Sequence, residues 1–165
     1  CYGILIRIFF NSVNAAMKLI APSLIAIAFT ASAPSFAEDT DGRHLVEMPP
    51  EALATMRAEM LDNQSALHLI LGALAEGKFA EAGDIAEKEM GISAMGKHRK
   101  LAEDARPGMF MPDEMHAIGR GSHAAASDFA KLAKAAEPGD LPKLLRALQG
   151  VTGACVACHR AYRTQ

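Results

Sequence analysis

Tryptophan is absent from this 165-residue chain, and aromatic residues make up only 5% of it. A core must therefore be filled by aliphatic side chains, alanine and the nine methionines, a composition that favours helix. Charge of one sign is lacking too: 17 Lys+Arg stand against 19 Asp+Glu, for a formal net charge of −2. That balance argues against a nucleic-acid-binding surface. The sequence shows no strand pattern, no repeat of fixed period and no long low-complexity segment. It also lacks a Ser–His–Asp arrangement, a glycine-rich phosphate loop and an evident pair of acid–base carboxylates. Catalysis on a bound substrate is not expected.

Long apolar runs are confined to the first residues. Met17-Lys18 opens a short charged start, residues 19–30 are apolar, and small residues lead to Ser35-Phe36-Ala37 before Glu38-Asp39. This is the layout of a secretory signal over residues 17–37, cleaved after Ala37. As a membrane span the run falls short of the roughly 20 residues required, and it contains Pro22. No membrane attachment is expected after cleavage. Residues 1–16 are apolar, contain no methionine and are read as an extension upstream of the true start. Residues 38–165 are expected to form one domain.

Within that domain, residues 38–48 read as a polar, irregular leader. Pro50 and Glu51 suit the first turn of a helix. Leu53, Met56, Met60, Leu67, Leu71 and Leu74 then recur on one face, until Gly77 ends the pattern. A second helical pattern covers residues 79–99, with Ala82, Ile85, Ala86, Met90 and Ile92 inward and Gly91 and Gly96 weakening its second half. A long crossover with the breaker Arg106-Pro107-Gly108 follows. Pro112-Asp113-Glu114 opens a third helix, buried through Ile118, Ala125, Phe129 and Leu132 and ended by Pro138-Gly139. Asp140 suits the N-cap of a fourth, whose stripe is Leu141, Leu144, Leu145, Leu148 and Val151. Four amphipathic helices joined by short, long and short connections define an all-α four-helix bundle.

Cysteine occurs three times, and two of the three stand in Cys155-Val156-Ala157-Cys158-His159, near the end of the fourth helix. Half a zinc site needs about two further ligands at short spacing, and the remaining cysteine is Cys1. A thioredoxin-like pair needs strand–helix–strand surroundings, and this neighbourhood reads as helix. Cys-x-x-Cys-His is instead the attachment pattern of a c-type haem. Two thiols at that spacing reach the two vinyl groups of one porphyrin, and the adjacent imidazole of His159 becomes the proximal iron ligand.

Attachment at the C-terminal end of the last helix resembles the class II cytochromes c, that is, cytochrome c′ and its low-spin c-556-type relatives. The resemblance rests on residues 153–163, including Tyr162-Arg163 after the ligand. Pro50-Glu51 with Met56-Arg57 at the start of the first helix and Gly139-Asp140-Leu141 at the turn into the last also carry it. It implies a periplasmic protein carrying one covalent haem c, with its iron, between the first and last helices. It further implies redox partner proteins, often a homodimer, and Arg57 and Arg163 near the iron ligand or the propionates.

The far side of the iron decides between two functions. A methionine there gives low-spin iron suited to electron transfer, and His/Met ligation raises the reduction potential. An apolar residue leaves the iron open to a diatomic gas, nitric oxide or carbon monoxide. Ungapped alignment on Arg57 puts Leu61 at the family's blocking position, and Met60 is its neighbour, about 100° round the helix. Met60 lies on the apolar stripe and is the favoured sixth ligand, with Met56 as runner-up. His68, two turns beyond Met60, reads as a surface histidine. Met109, Met111, Met115, His98, His116 and His123 include residue types that bind copper, but no compact spacing fixes three ligands, so they read as core and loop filling. A haem enzyme would need a polar distal group, and the first helix offers mainly methionine and leucine there.

Overall fold

A computed structural model describes residues 41–165. The extension assigned to residues 1–16 and the signal assigned to residues 17–37 lie outside the described residues. Four helices make up most of the described chain: α1 (Pro50–Ala75), α2 (Phe79–Met90), α3 (Asp113–Lys134) and α4 (Leu141–Ala161). They are flanked by two short strands, β1 (His44–Val46) before α1 and β2 (Tyr162–Thr164) after α4. The bundle expected from the periodicity is present. None of the described helices is long and apolar enough to cross a membrane.

Local chemistry explains where α1 starts and stops. Pro50 occupies its first turn, where a missing N–H costs nothing, and Glu51 faces the positive end of the helix dipole. At the other end Gly77 takes a left-handed φ of 72°. The Gly77 N–H then donates to the Leu74 carbonyl at 3.1 Å and the Lys78 N–H to the Ala73 carbonyl at 2.8 Å. This is a Schellman closure, and glycine makes it cheap.

The second helix stops at Met90 rather than continuing to residue 99. Gly91 turns extended there, and a Cβ at that position would lie 2.7 Å from the Glu87 carbonyl oxygen. Side chains of α3 receive the released backbone: His123 Nδ1 lies 2.8 Å from the Met90 carbonyl oxygen and 3.1 Å from that of Gly91, and Ser127 Oγ accepts the Ile92 N–H at 2.9 Å. Three short 3-10 turns then carry the crossover to α3. His116 Nε2, 2.8 Å from the Gly108 carbonyl oxygen, fastens the last of them. Asp140 does not cap α4. Its carboxylate accepts the Glu137 N–H at 3.0 Å and closes the turn before the helix.

The leader expected to be irregular is partly a strand. β1 pairs in parallel with β2, His44 against Tyr162, Leu45 against Arg163 and Val46 against Thr164. Gln165 lengthens the ladder with its side chain: Nε2 donates to the Met48 carbonyl at 2.5 Å, and Oε1 accepts the Met48 N–H at 3.3 Å. The Tyr162 and His44 rings meet edge to face at 5.9 Å.

The core has two parts. The larger draws on all four helices, and Phe129, Ile70, Leu144 and Val151 are its largest fully buried side chains. Each such burial is worth about 1.5–3 kcal/mol relative to exposure. The smaller gathers Val46, Met48, Ala52, Leu53 and Met115, with Met56, Phe110, Met111, Cys158 and Tyr162 packed against it. Alanines occupy places that the sequence pattern gave to larger residues. Ala66 and Ala73 are buried on α1 while Leu71 is exposed, and Ile92, Leu132 and Leu145 also face solvent. Small side chains let the helices approach closely, which leaves neighbouring leucines on the flanks.

Candidate haem site

The two core clusters are separated by a belt in which helices contribute no fully buried side chain. On α1 nothing is fully buried between Leu53 and Ala66; on α3 nothing between Met115 and Ala126; on α4 nothing beyond Val151. Close backbone approaches join α1 to α2, α2 to α3 and α3 to α4, whereas α1 and α4 have at most isolated ones. A Cβ added at Gly119 on α3 or at Gly153 on α4 would meet nothing within 4 Å. Full burial is thus lacking at this level, on the side where α1 and α4 have few close backbone approaches.

The Cys-x-x-Cys-His sequence lies on α4 where that helix passes the belt. Cys155 and Cys158 are both free and half-buried. The Cys155 Sγ lies 3.8 Å from the Val151 carbonyl oxygen, and Cys158 packs on the smaller cluster. Burial pushes both thiols above their ordinary pKa, and the neighbouring Cys155 adds to the shift at Cys158. His159 follows immediately, exposed on the last turn of α4, and its carbonyl oxygen accepts from Arg43 Nη1 at 3.4 Å. Two thiols and an imidazole on consecutive turns are the donor set that covalent haem requires. The residues present fit the group.

On α1, Met56 packs against the smaller cluster, in the company of Cys158 and Tyr162. Met60 belongs to neither cluster and is 37% exposed, while its neighbour Leu61 is 65% exposed. The sequence pattern has Met60 facing the core; it is instead partly exposed, in the belt between the two clusters. Glu59 is approached from the crossover, with Lys97 Nζ at 3.7 Å and His98 Nε2 at 3.3 Å, the latter not aligned as a hydrogen bond.

Both arginines drawn from the family resemblance sit at the strand end of the bundle. Arg57 Nη2 donates to the Gln165 backbone carbonyl at 2.9 Å, and Arg163 Nε lies 3.7 Å from Asp41 Oδ2. Hydrogen bonds from the Arg43 side chain and backbone, with the nearby Arg163, hold the Asp41 carboxyl at about 2, below its ordinary 3.8. His68 is exposed on α1. His116 and His123 are fastened to carbonyls, as structural histidines are, and no cluster of three metal-ligating His, Cys, Asp or Glu side chains occurs among the described residues. Sequence reasoning missed Gln165 and Asp41. Their roles depend on a ladder joining the two ends of the described chain, which no local pattern announces.

A four-helix bundle with two thiols and an imidazole in this arrangement defines a mono-haem c-type cytochrome. Residues 73–163 match the family model described as cytochrome C′; this is more than half of the chain, which belongs to that family. No curated protein and no solved structure matches it. The family carries covalently attached haem c with its iron, works with redox partners and is typically periplasmic. The matched span holds Cys155, Cys158 and His159 but not Met56, Arg57 or Met60, so the distal side is argued from this chain's own residues.

Proposed function

We propose that this chain is a periplasmic electron carrier whose haem iron is held by His159 on one side and Met60 on the other. Haem supplies a one-electron couple; the protein supplies attachment, axial ligands and an apolar enclosure. The observation that carries the reading is the position of Met60. Of the two α1 methionines, Met56 is engaged in the smaller cluster, whereas Met60 lies in the belt and is the less exposed member of the Met60–Leu61 pair. A thioether there is available to a group in the belt without unpacking a core. Cys155 and Cys158 fix the porphyrin to α4, His159 ligates, and Leu61 and Val156 lie exposed on the two helices that face each other across the site. No residue is proposed to act on a substrate, so the protein is not proposed to be an enzyme.

Visible spectra of the reduced holoprotein, with and without carbon monoxide, test this. Low-spin bands unchanged by carbon monoxide are expected. Met60→Ala should give an open iron that takes up carbon monoxide, with haem content retained. A wild-type protein that binds carbon monoxide at once would replace electron transfer by gas binding as the function. A Met60→Ala protein that stays closed would move the ligand to Met56.

A further inference from the structure

We propose that the clasp formed by β1, β2 and Gln165 sets the spacing of α1 and α4 across the haem, and that Gln165 and Arg57 are positioning residues for the sixth ligand. The inference rests on Met60 being that ligand. The two helices that carry Met60 and His159 have at most isolated close backbone approaches to each other. In the belt neither helix has a fully buried side chain; Met56 of α1 and Cys158 of α4 are half-buried there and pack on the smaller cluster, and such partial burial alone does not fix their separation.

Hydrogen bonds at the strand end do. The ladder follows α4 directly, three residues after His159, and on the other side leads through Met48 into α1. The Gln165 carboxamide holds both backbone polar groups of Met48. Arg57, one turn before Met60, donates to the Gln165 carbonyl at 2.9 Å. Arg43 Nη1 reaches the His159 carbonyl oxygen at 3.4 Å. Each helix is thus tied within about one turn of its iron ligand. Removing the Gln165 amide leaves the part-buried Met48 N–H and carbonyl without their protein partner, and α1 loses its tether to α4 there.

Carbon monoxide association with the reduced holoprotein reads the population in which the sixth ligand is off the iron. Gln165→Ala and Arg57→Ala should each bind carbon monoxide about tenfold faster than wild type, the scale of losing one or two hydrogen bonds. Haem content should not change, and Arg57→Lys, which keeps a donor, should fall nearer wild type. Ile70→Val, on the same helix but in the larger core, should lower the melting temperature and leave the carbon monoxide rate alone. Clasp variants that lose stability but keep the wild-type rate, or an Ile70→Val protein that accelerates equally, would overturn the proposal.

If wild type itself binds carbon monoxide at once, the ligand reading fails first, and amide exchange over residues 57–65 then judges the clasp. Faster exchange there in Gln165→Ala but not in Ile70→Val keeps the clasp as the spacer; equal exchange in both removes it.

Discussion

The two core clusters of this bundle are built on different terms. The larger is closed by α1 to α4 alone, with alanines bringing backbones together around Phe129, Ile70, Leu144 and Val151. The smaller draws on both strands, the crossover and three helices, includes four methionines among its members and neighbours, and has Cys158 of the haem motif on its edge. One is a helix–helix core complete in itself. The other is bordered by the terminal ladder and the Gln165 amide, with the Cys158 thiol packed on it. The difference teaches that stability and function are drawn from separate regions of one small domain.

The largest effect that breaks this division removes the attachment. A Cys155→Ala, Cys158→Ala protein should carry no covalent haem, seen as loss of haem stain on a denaturing gel. Its larger core should persist as helical circular dichroism, while the belt and smaller cluster lose protection from amide exchange. Loss of all helical signal at ordinary temperature would mean that the larger core does not stand alone. Next in size, Phe129→Ala empties the centre of the larger core and should cost about 3–5 kcal/mol in urea unfolding. Where that variant remains folded, its haem spectrum should match wild type.

The smallest effect sharpens the comparison at the clasp. Asp41 titrates at about 2 when folded and at an ordinary 3.8 otherwise. Its stabilising contribution is therefore present above 3.8 and lost as pH falls through about 2. Acid titration followed by exchange at the β1–β2 amides should show a loosening in that window, absent in Asp41→Asn. The Asp41 carboxylate is exposed and screened, so the global unfolding midpoint should barely move.

The sequence was most legible where signals were local. Pro50 and Gly77 bracket α1, Pro112 and the acids after it open α3, and the haem-binding pentad declares its own chemistry. It was misleading where a partner far along the chain decided the outcome. The α2 pattern runs past Met90, yet His123 and Ser127 on α3 take its end. Three-residue strands are too short for alternation to register, and β1 finds its partner at the opposite end of the domain. The α1 stripe was drawn through its large residues, whereas close packing selected Ala66 and Ala73 and turned Leu71 outward. Periodicity puts Met60 on the stripe with Leu53 and Leu67, but its exposure depends on where the two clusters end, which no local pattern carries.

The parallel sense of the terminal ladder has a mechanical consequence. A pull applied at Asp41 and at Gln165 draws β1 and β2 past each other along their length, because the pulled ends lie at opposite ends of the pair. All the ladder's hydrogen bonds are then loaded together in shear, rather than opened one after another as in an unzipping hairpin. The seam between the two helices that face the haem should resist tension along the chain better than its three-residue strands suggest.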